Sequence, residues 1–225
     1  MGAVLELVMR RIIAAAVILG LTGCAQVNAV TQAILDPDAT PEMNIPTVNR
    51  AAIEQADLAA VLVLSPSTGI VDVAAAIQAR DDLILYSSNE NRGVSMNGGL
   101  ISASLGFGTN LQAVTAGPDD PLATNAIPSA WPNRTSRTYF LSQRGPDYQE
   151  ISTSCSVVVG SASVIEVVGV SRQTIEIAEN CATTEGNTFQ NMHYVDPQSG
   201  KVWRTLQWTG PVQGSLQLDV IEQFE

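Results

Sequence analysis

The sequence predicts an all-β fold: a single antiparallel β domain, arranged as a curled sheet, a sandwich or an open barrel, with a short helix and a tether before it. Three observations carry this. The apolar segments are short, and turn-forming residues close each of them. Several alternate apolar and polar side chains, as in Ser215-Leu216-Gln217-Leu218-Asp219-Val220, the period of a strand with one buried face. No long helix-periodic stretch separates them, which excludes a parallel sheet built from βαβ units. At 225 residues the chain has the length of one ordinary domain or two small ones. No composition change after residue 58 marks a second domain, and no internal repeat is visible.

The first residues read as an address. Arg10-Arg11 precedes the apolar run Ile12 to Leu21. This is a positive segment followed by a hydrophobic one too short to span a bilayer, which needs about 20 residues. The run ends in Leu21-Thr22-Gly23-Cys24, which resembles the bacterial lipobox. Residues 1–23 are then a lipoprotein signal peptide, cut before Cys24, whose sulfur and amine carry acyl chains. Each buried methylene contributes about 0.8 kcal/mol, so several chains anchor firmly. The plainer alternative is an ordinary secretory signal with Cys24 incidental. Met9-Arg10-Arg11 makes a more typical start than Met1, because Glu6 is out of place in a positive segment. Ala25, where Asp would favour inner-membrane retention, points to the outer membrane.

Elements follow in order. Val27, Val30 and Ile34 form one stripe of a short helix over 25–35. It has no Lys or Arg on its polar face, so docking on the domain is favoured over lying on a membrane. Residues 36–48 contain three prolines and read as a tether, and Asn49 to Leu58 as a further short helix. Residues 24–57 are thus lipidated Cys, helix and tether, and 58–225 the β domain. Strands are predicted at Ala59 to Leu64, a continuous apolar run, then at Ile70 to Val73 and Leu83 to Tyr86. Short Gly-rich pieces follow from Gly93 to Val114. Further strands are predicted at Thr135 to Ser142, Ser156 to Val159, Ser163 to Val168 and Gln173 to Ile177. Met192 to Val195 and Lys201 to Trp208 flank Asp196-Pro197-Gln198-Ser199-Gly200 as a hairpin.

Composition narrows the chemistry. Acidic residues outnumber basic ones 22 to 11, for a net charge of −11, which argues against nucleic acid as a partner. One histidine, His193, and three cysteines leave little for metal or His-based catalysis, so neither metal nor cofactor is expected. With Cys24 lipidated, Cys155 and Cys181 remain, 26 positions apart. In an oxidising compartment such a pair reads as a disulfide, worth about 3 kcal/mol on the chain-entropy model. No Cys-x-x-Cys spacing supports a redox pair.

No phosphate-binding loop or Gly-x-Ser-x-Gly nucleophile motif is present. Asp81-Asp82 and Asp119-Asp120 are the only paired carboxylates that recommend themselves for acid–base work on glycosides. In turns, such pairs are ordinarily solvated. His193 reads as a packed side chain. Trp203 and Trp208 have opposite parity on one strand, so one ring should face inward and one outward. The outward ring, with Tyr194 nearby, is the candidate contact for a partner or a glycan.

Several segments together resemble the YjbF/GfcB family of lipoproteins associated with group 4 capsule and exopolysaccharide production. They are Asn97-Gly98-Gly99-Leu100-Ile101, Leu105, Asn110-Leu111, Asp120-Pro121-Leu122 and Asn187-Thr188-Phe189. Tyr194-Val195-Asp196, Ser199-Gly200-Lys201-Val202-Trp203-Arg204 and Gln207 complete the set. Their order matches over roughly 58–122 and 135–209. A Leu-Pro-Tyr stretch associated with the family is absent near Ala51 to Gln55, and the Cys155/Cys181 pair is not part of its pattern. The resemblance implies a non-enzymatic outer-membrane accessory of polysaccharide production and export. Its expected partners are an outer-membrane β-barrel and polysaccharide-export proteins, with no catalytic residues of its own. It implies a lipid-anchored, periplasm-facing domain, whose acidic surface would hold it off anionic head groups. Two other readings compete: a lipid or lipoprotein carrier with an apolar groove, and a direct glycan-binding module.

Overall fold

The computed structural model describes residues 47–80, 83–142 and 147–222; Cys24 and the helix expected at 25–35 lie outside them. A single-turn helix, α1 (Arg50–Gln55), stands where the second short helix is expected. Twelve strands follow: β1 (Ala60–Ser65), β2 (Ile70–Arg80), β3 (Leu83–Ser87), β4 (Gly93–Asn97), β5 (Leu100–Leu105) and β6 (Leu111–Ala116). The second half comprises β7 (Arg134–Ser142), β8 (Tyr148–Val167), β9 (Val170–Thr183), β10 (Thr188–Val195), β11 (Val202–Gly210) and β12 (Gly214–Glu222). Each is antiparallel to its sequence neighbours, and β1 pairs with β12 as well as β2. The all-β antiparallel expectation holds, and among its alternatives the chain takes the barrel, closed rather than open. Closure removes the sheet edges on which a foreign strand could pair.

Burial explains the sequence texture. β7 alternates, with Thr135, Arg137, Tyr139 and Leu141 buried, and Ser136 and Thr138 turned outward. β8 continues the pattern with Ile151, Thr153 and Cys155 inside. The lumen is filled by apolar side chains, among them Val61, Val63, Leu216, Leu218 and Tyr139. Over β7 and the first half of β8, apolar side chains point in and hydroxyls out, the reverse of a membrane-spanning barrel. β1 is buried on both faces. Its outer residues Ala60, Leu62 and Leu64 lie under Val48 and Ile53 of the α1 segment. That double cover is why it reads as a continuous apolar run. Asn49 caps α1 by accepting from the Ala52 N–H at 3.1 Å. Arg50 donates to the carbonyls of Val167 and Val168, each at 3.2 Å, tying α1 to the β8–β9 turn.

Two strands are longer than their sequence pattern. The segments expected separately at 156–159 and 163–168 are one strand, β8, whose ladder slips between Val159 and Ala162. Its first half, with Gln149-Glu150 and alternate hydroxyls, carries too few apolar residues to read as a strand. β2 runs on through Ala74-Ala75-Ala76, residues with little strand preference, because β1 and β3 pair with it on both sides. The Cys155–Cys181 disulfide forms as expected, between directly opposed residues of β8 and β9.

The segment joining β6 to β7 packs into the barrel end formed by the start of β5, the end of β10 and the start of β11. Leu122 and Trp131 enter there against Leu100, Val195 and Val202. The β10–β11 loop meets the same segment. Its Asp196 accepts from the N–H groups of Gln198 at 3.0 Å and Ser199 at 2.8 Å. Gly200 (φ +75°) lies so close to it that a Cβ would sit 1.8 Å from the Asn125 carbonyl oxygen.

A buried charge cluster latches this segment in place. Arg137 donates from Nε to Asp120 at 2.8 Å, and from Nη1 and Nη2 to Glu179 at 2.7 and 3.0 Å. Glu179 also accepts from Thr135 at 2.6 Å and Asn191 at 3.0 Å. Burial alone would raise the Glu179 carboxyl. The Arg137 charge and the His193 hydrogen bond outweigh it and hold the group well below the ordinary carboxylate range. The carboxylate only accepts, so His193 Nε2, 3.2 Å away, is a donor. Burial and the nearby Glu179 push the Tyr139 phenol up to about 12, against the opposing pull of Arg137.

Three outcomes are expected. Replacing Cys155 and Cys181 together by Ala costs about 3 kcal/mol, read as a Tm lower by roughly 6–12 °C in thermal unfolding. Gly200→Ala must push the Asn125 carbonyl aside and costs about 2 kcal/mol, measurable by urea unfolding. Glu179 is held lower in the folded chain than in the unfolded one. Its contribution to stability is therefore fully present above about pH 5 and lost as the pH falls below that. Glu179→Gln should lower Tm at neutral pH and flatten its acid limb, as measured by Tm against pH for the two chains.

Candidate functional site along the β5–β6 seam

The residues singled out from the sequence fall in several places. Trp208 is a core ring, 8 % exposed, stacked on Phe189 at 4.6 Å and edge-on to Tyr139 at 5.0 Å; it offers no face to a partner. Trp203 is half-buried, packs against the same lumen cluster, and carries the Arg172 guanidinium 3.7 Å above its ring. Neither ring is freely outward. The parity argument assumes unbroken alternation, but the β10–β11 ladder slips at Trp203 itself, where Tyr194 faces Arg204 and Val195 faces Val202. Tyr194, half-buried, pairs with Arg204 across β10 and β11.

His193 is packed as expected, between Glu179 and Thr205. Asp119 is solvated, but Asp120 is not. It is buried on Arg137, a correction to the solvated reading, because the β6–β7 segment carries it inward. Asp81-Asp82 lie outside the described residues. The Cys155 and Cys181 sulfurs lie near the Glu179 carboxylate. Joined as a disulfide, they have no thiolate to give a metal. Every charge in this cluster is bonded to another protein group and withdrawn from water, an arrangement that holds charge in place.

The open chemistry lies at the seam between β5 and β6. Their ladder has one rung, Ser104 opposite Leu111, whereas β4–β5 and β6–β7 pair over several residues. Beyond that rung a side chain stands in for the missing strand. Gln207, from β11 across the barrel, donates to the Gly99 carbonyl at 2.7 Å and accepts from the Ile101 N–H at 3.1 Å. Gln213 supports the rung itself, donating to Ser104 at 3.1 Å and Thr209 at 2.8 Å; its buried Oε1 has no partner among the described residues.

Clefts follow the seam without interruption. The first, about 440 Å³, lies beside Leu85, Tyr86, Leu105 and Leu111. Burial pushes the Tyr86 phenol up to about 12. The next shares Ser95, Ala103 and Gln112 with it, and a third shares Asn97 with the second and adds Thr115 and Thr124. The last reaches Ser136, Thr138 and Ser152. No Asp or Glu is among the described lining residues of any of them. The sequence held two signals for this site: Asn97 and Gln207 both belong to the segments that carry the family resemblance. Nothing local marks Ser102, Gln112 or Gln213, because the seam is made by register.

The sequence matches a family described as group 4 capsule polysaccharide lipoprotein gfcB, YjbF, over residues 28–221. No curated protein matches it. Among solved structures it is similar to the crystal structure of the hypothetical lipoprotein YmcC from Escherichia coli (K12). Identity is 15 %, the TM-score is 0.69, and the match covers 87 % of this chain and 95 % of that one; at that identity the likeness is one of fold. The match over residues 28–221 spans most of the chain, which therefore belongs to the YjbF family of group 4 capsule polysaccharide lipoproteins.

Proposed function

We propose that the protein is an outer-membrane lipoprotein, anchored through Cys24 and facing the periplasm, that serves capsule or exopolysaccharide production and export as a non-enzymatic accessory. The observation that carries this is the family match across residues 28–221. Leu21-Thr22-Gly23-Cys24 supplies the anchor and Ala25 the outer-membrane preference. The binding reading is supported by the site. The only histidine is bonded to Glu179, and the buried carboxylates Asp120, Glu179 and Asp219 are each held by an arginine, while the accessible seam carries hydroxyl and amide groups suited to contact. Its partners are the outer-membrane β-barrel and the polysaccharide-export proteins of the same pathway. A carrier of lipid would need an enclosed apolar space, and this lumen is filled by its own side chains.

Deleting the gene should strip the cell of surface polysaccharide, measured by quantitative glycan staining. The wild-type gene should restore it, and Cys24→Ala, released from the membrane, should not. Unchanged surface polysaccharide in the deletion strain would reject the proposal.

A further inference from the structure

The β5–β6 seam is a groove with a particular chemistry, and we infer that it binds an extended glycan chain. This rests on the proposed role in polysaccharide export and names the ligand class of the site. The groove follows β6, six residues long, or about 20 Å at strand rise. It is therefore shaped for a linear polymer. Its middle presents small neutral donors and acceptors, Ser95, Asn97, Ser102 and Gln112. Leu85, Leu105 and Leu111 form an apolar wall at one end. Sugar rings need both: hydroxyls seek amide and hydroxyl partners, and C–H faces lie on apolar surface.

Two observations select a glycan over a polypeptide strand. A strand adding at β5 would need the Gly99 carbonyl and the Ile101 N–H, and Gln207 already holds both. The main-chain bonds that give β-addition its affinity are thus closed off there. The second is charge. In a chain of net charge −11, the described lining residues include no carboxylate but do include Arg80, and Arg92, which is paired with Asp72 at 3.0 Å. A neutral glycan meets no like charge from the described lining, and one carrying carboxylates finds Arg80 at the wall.

The test uses the mature lipoprotein in detergent micelles. The probe is a set of oligosaccharides made by partial hydrolysis of the host's purified surface polysaccharide. Binding is read by calorimetry, and its place by hydrogen exchange. Expected are protection at 95–104 and 111–116 and an affinity weakened about tenfold or more by Gln112→Trp, which fills the groove from an exposed position. Asn97→Ala, which adds no bulk, should weaken it in the same direction. Unchanged thermal unfolding shows that each variant is folded.

No binding at millimolar oligosaccharide overturns the inference, as does binding that Gln112→Trp leaves intact. Capture of an extended synthetic peptide in place of the glycan overturns it too, and makes the groove a polypeptide site. If the glycan fails to bind while the deletion strain still lacks surface polysaccharide, this inference falls and the accessory role stands.

Discussion

Arg137 holds the architecture together because a guanidinium cannot be left alone in a protein interior. Its side chain is fully withdrawn from water and bonded to two carboxylates, Asp120 and Glu179, themselves buried. Such a group gains little over an apolar core of the same shape, yet losing one member strands the others at about 3–5 kcal/mol. What it supplies is commitment. Glu179 is on β9 and Arg137 on β7, so the strand pairing already brings them near each other. Asp120 belongs to the non-strand segment after β6. Its carboxylate can reach Arg137 only if that segment enters the barrel end, carrying Leu122 and Trp131 into the apolar cluster there. Charge and hydrophobic burial therefore select the same conformation.

The family-resembling segments converge on this end of the barrel. Gly99 donates to the Leu122 carbonyl at 2.8 Å. A Cβ on Gly99 would fall 2.3 Å from the Val202 side chain, so the close approach of β5 and β11 needs glycine. Gly200 approaches Asn125, and Gln207 bonds to Gly99 and Ile101. Segments near residues 98, 121 and 203 are thus one spatial unit. The features by which the chain resembles its family hold the fold, and through Gln207 they also shape one wall of the seam.

What the sequence discloses follows from what periodicity measures. Alternation reports that a strand has a wet and a dry face, so β7, β9, the β10–β11 hairpin and β12 are legible. The unbroken run at β1 reports two dry faces without saying that α1 supplies the outer one. Periodicity is silent on which strand ends meet. Closure of β1 on β12 and the single rung between Ser104 and Leu111 are therefore invisible before the structure. The same is true of the inward turn of Asp120. The first half of β8 escapes for a related reason: beside Tyr148 its outer residues are Glu150, Ser152 and Ser154, and a water-facing strand half composed of such residues looks like a loop. Trp203 and Trp208 show the converse failure. Their parity is plain, and the slip of the β10–β11 ladder at Trp203 upsets it.

A closed barrel with one weak seam sets two requirements against each other. Closure protects an exported strand-rich domain from pairing with its neighbours, whereas a binding groove needs backbone held apart. Gln207 reconciles them by satisfying the β5 edge with an amide from the opposite wall, so the strands separate without leaving Gly99 and Ile101 unbonded. The other ladders, the disulfide and the Arg137 latch keep the walls of the gap at a fixed distance. A groove built this way is pre-formed, and a ligand entering it need not order the site it binds. The same substitution makes the opening selective. At Gly99 and Ile101 the main-chain groups that would attract another strand are already used, and side-chain hydroxyls and amides line the opening beside them.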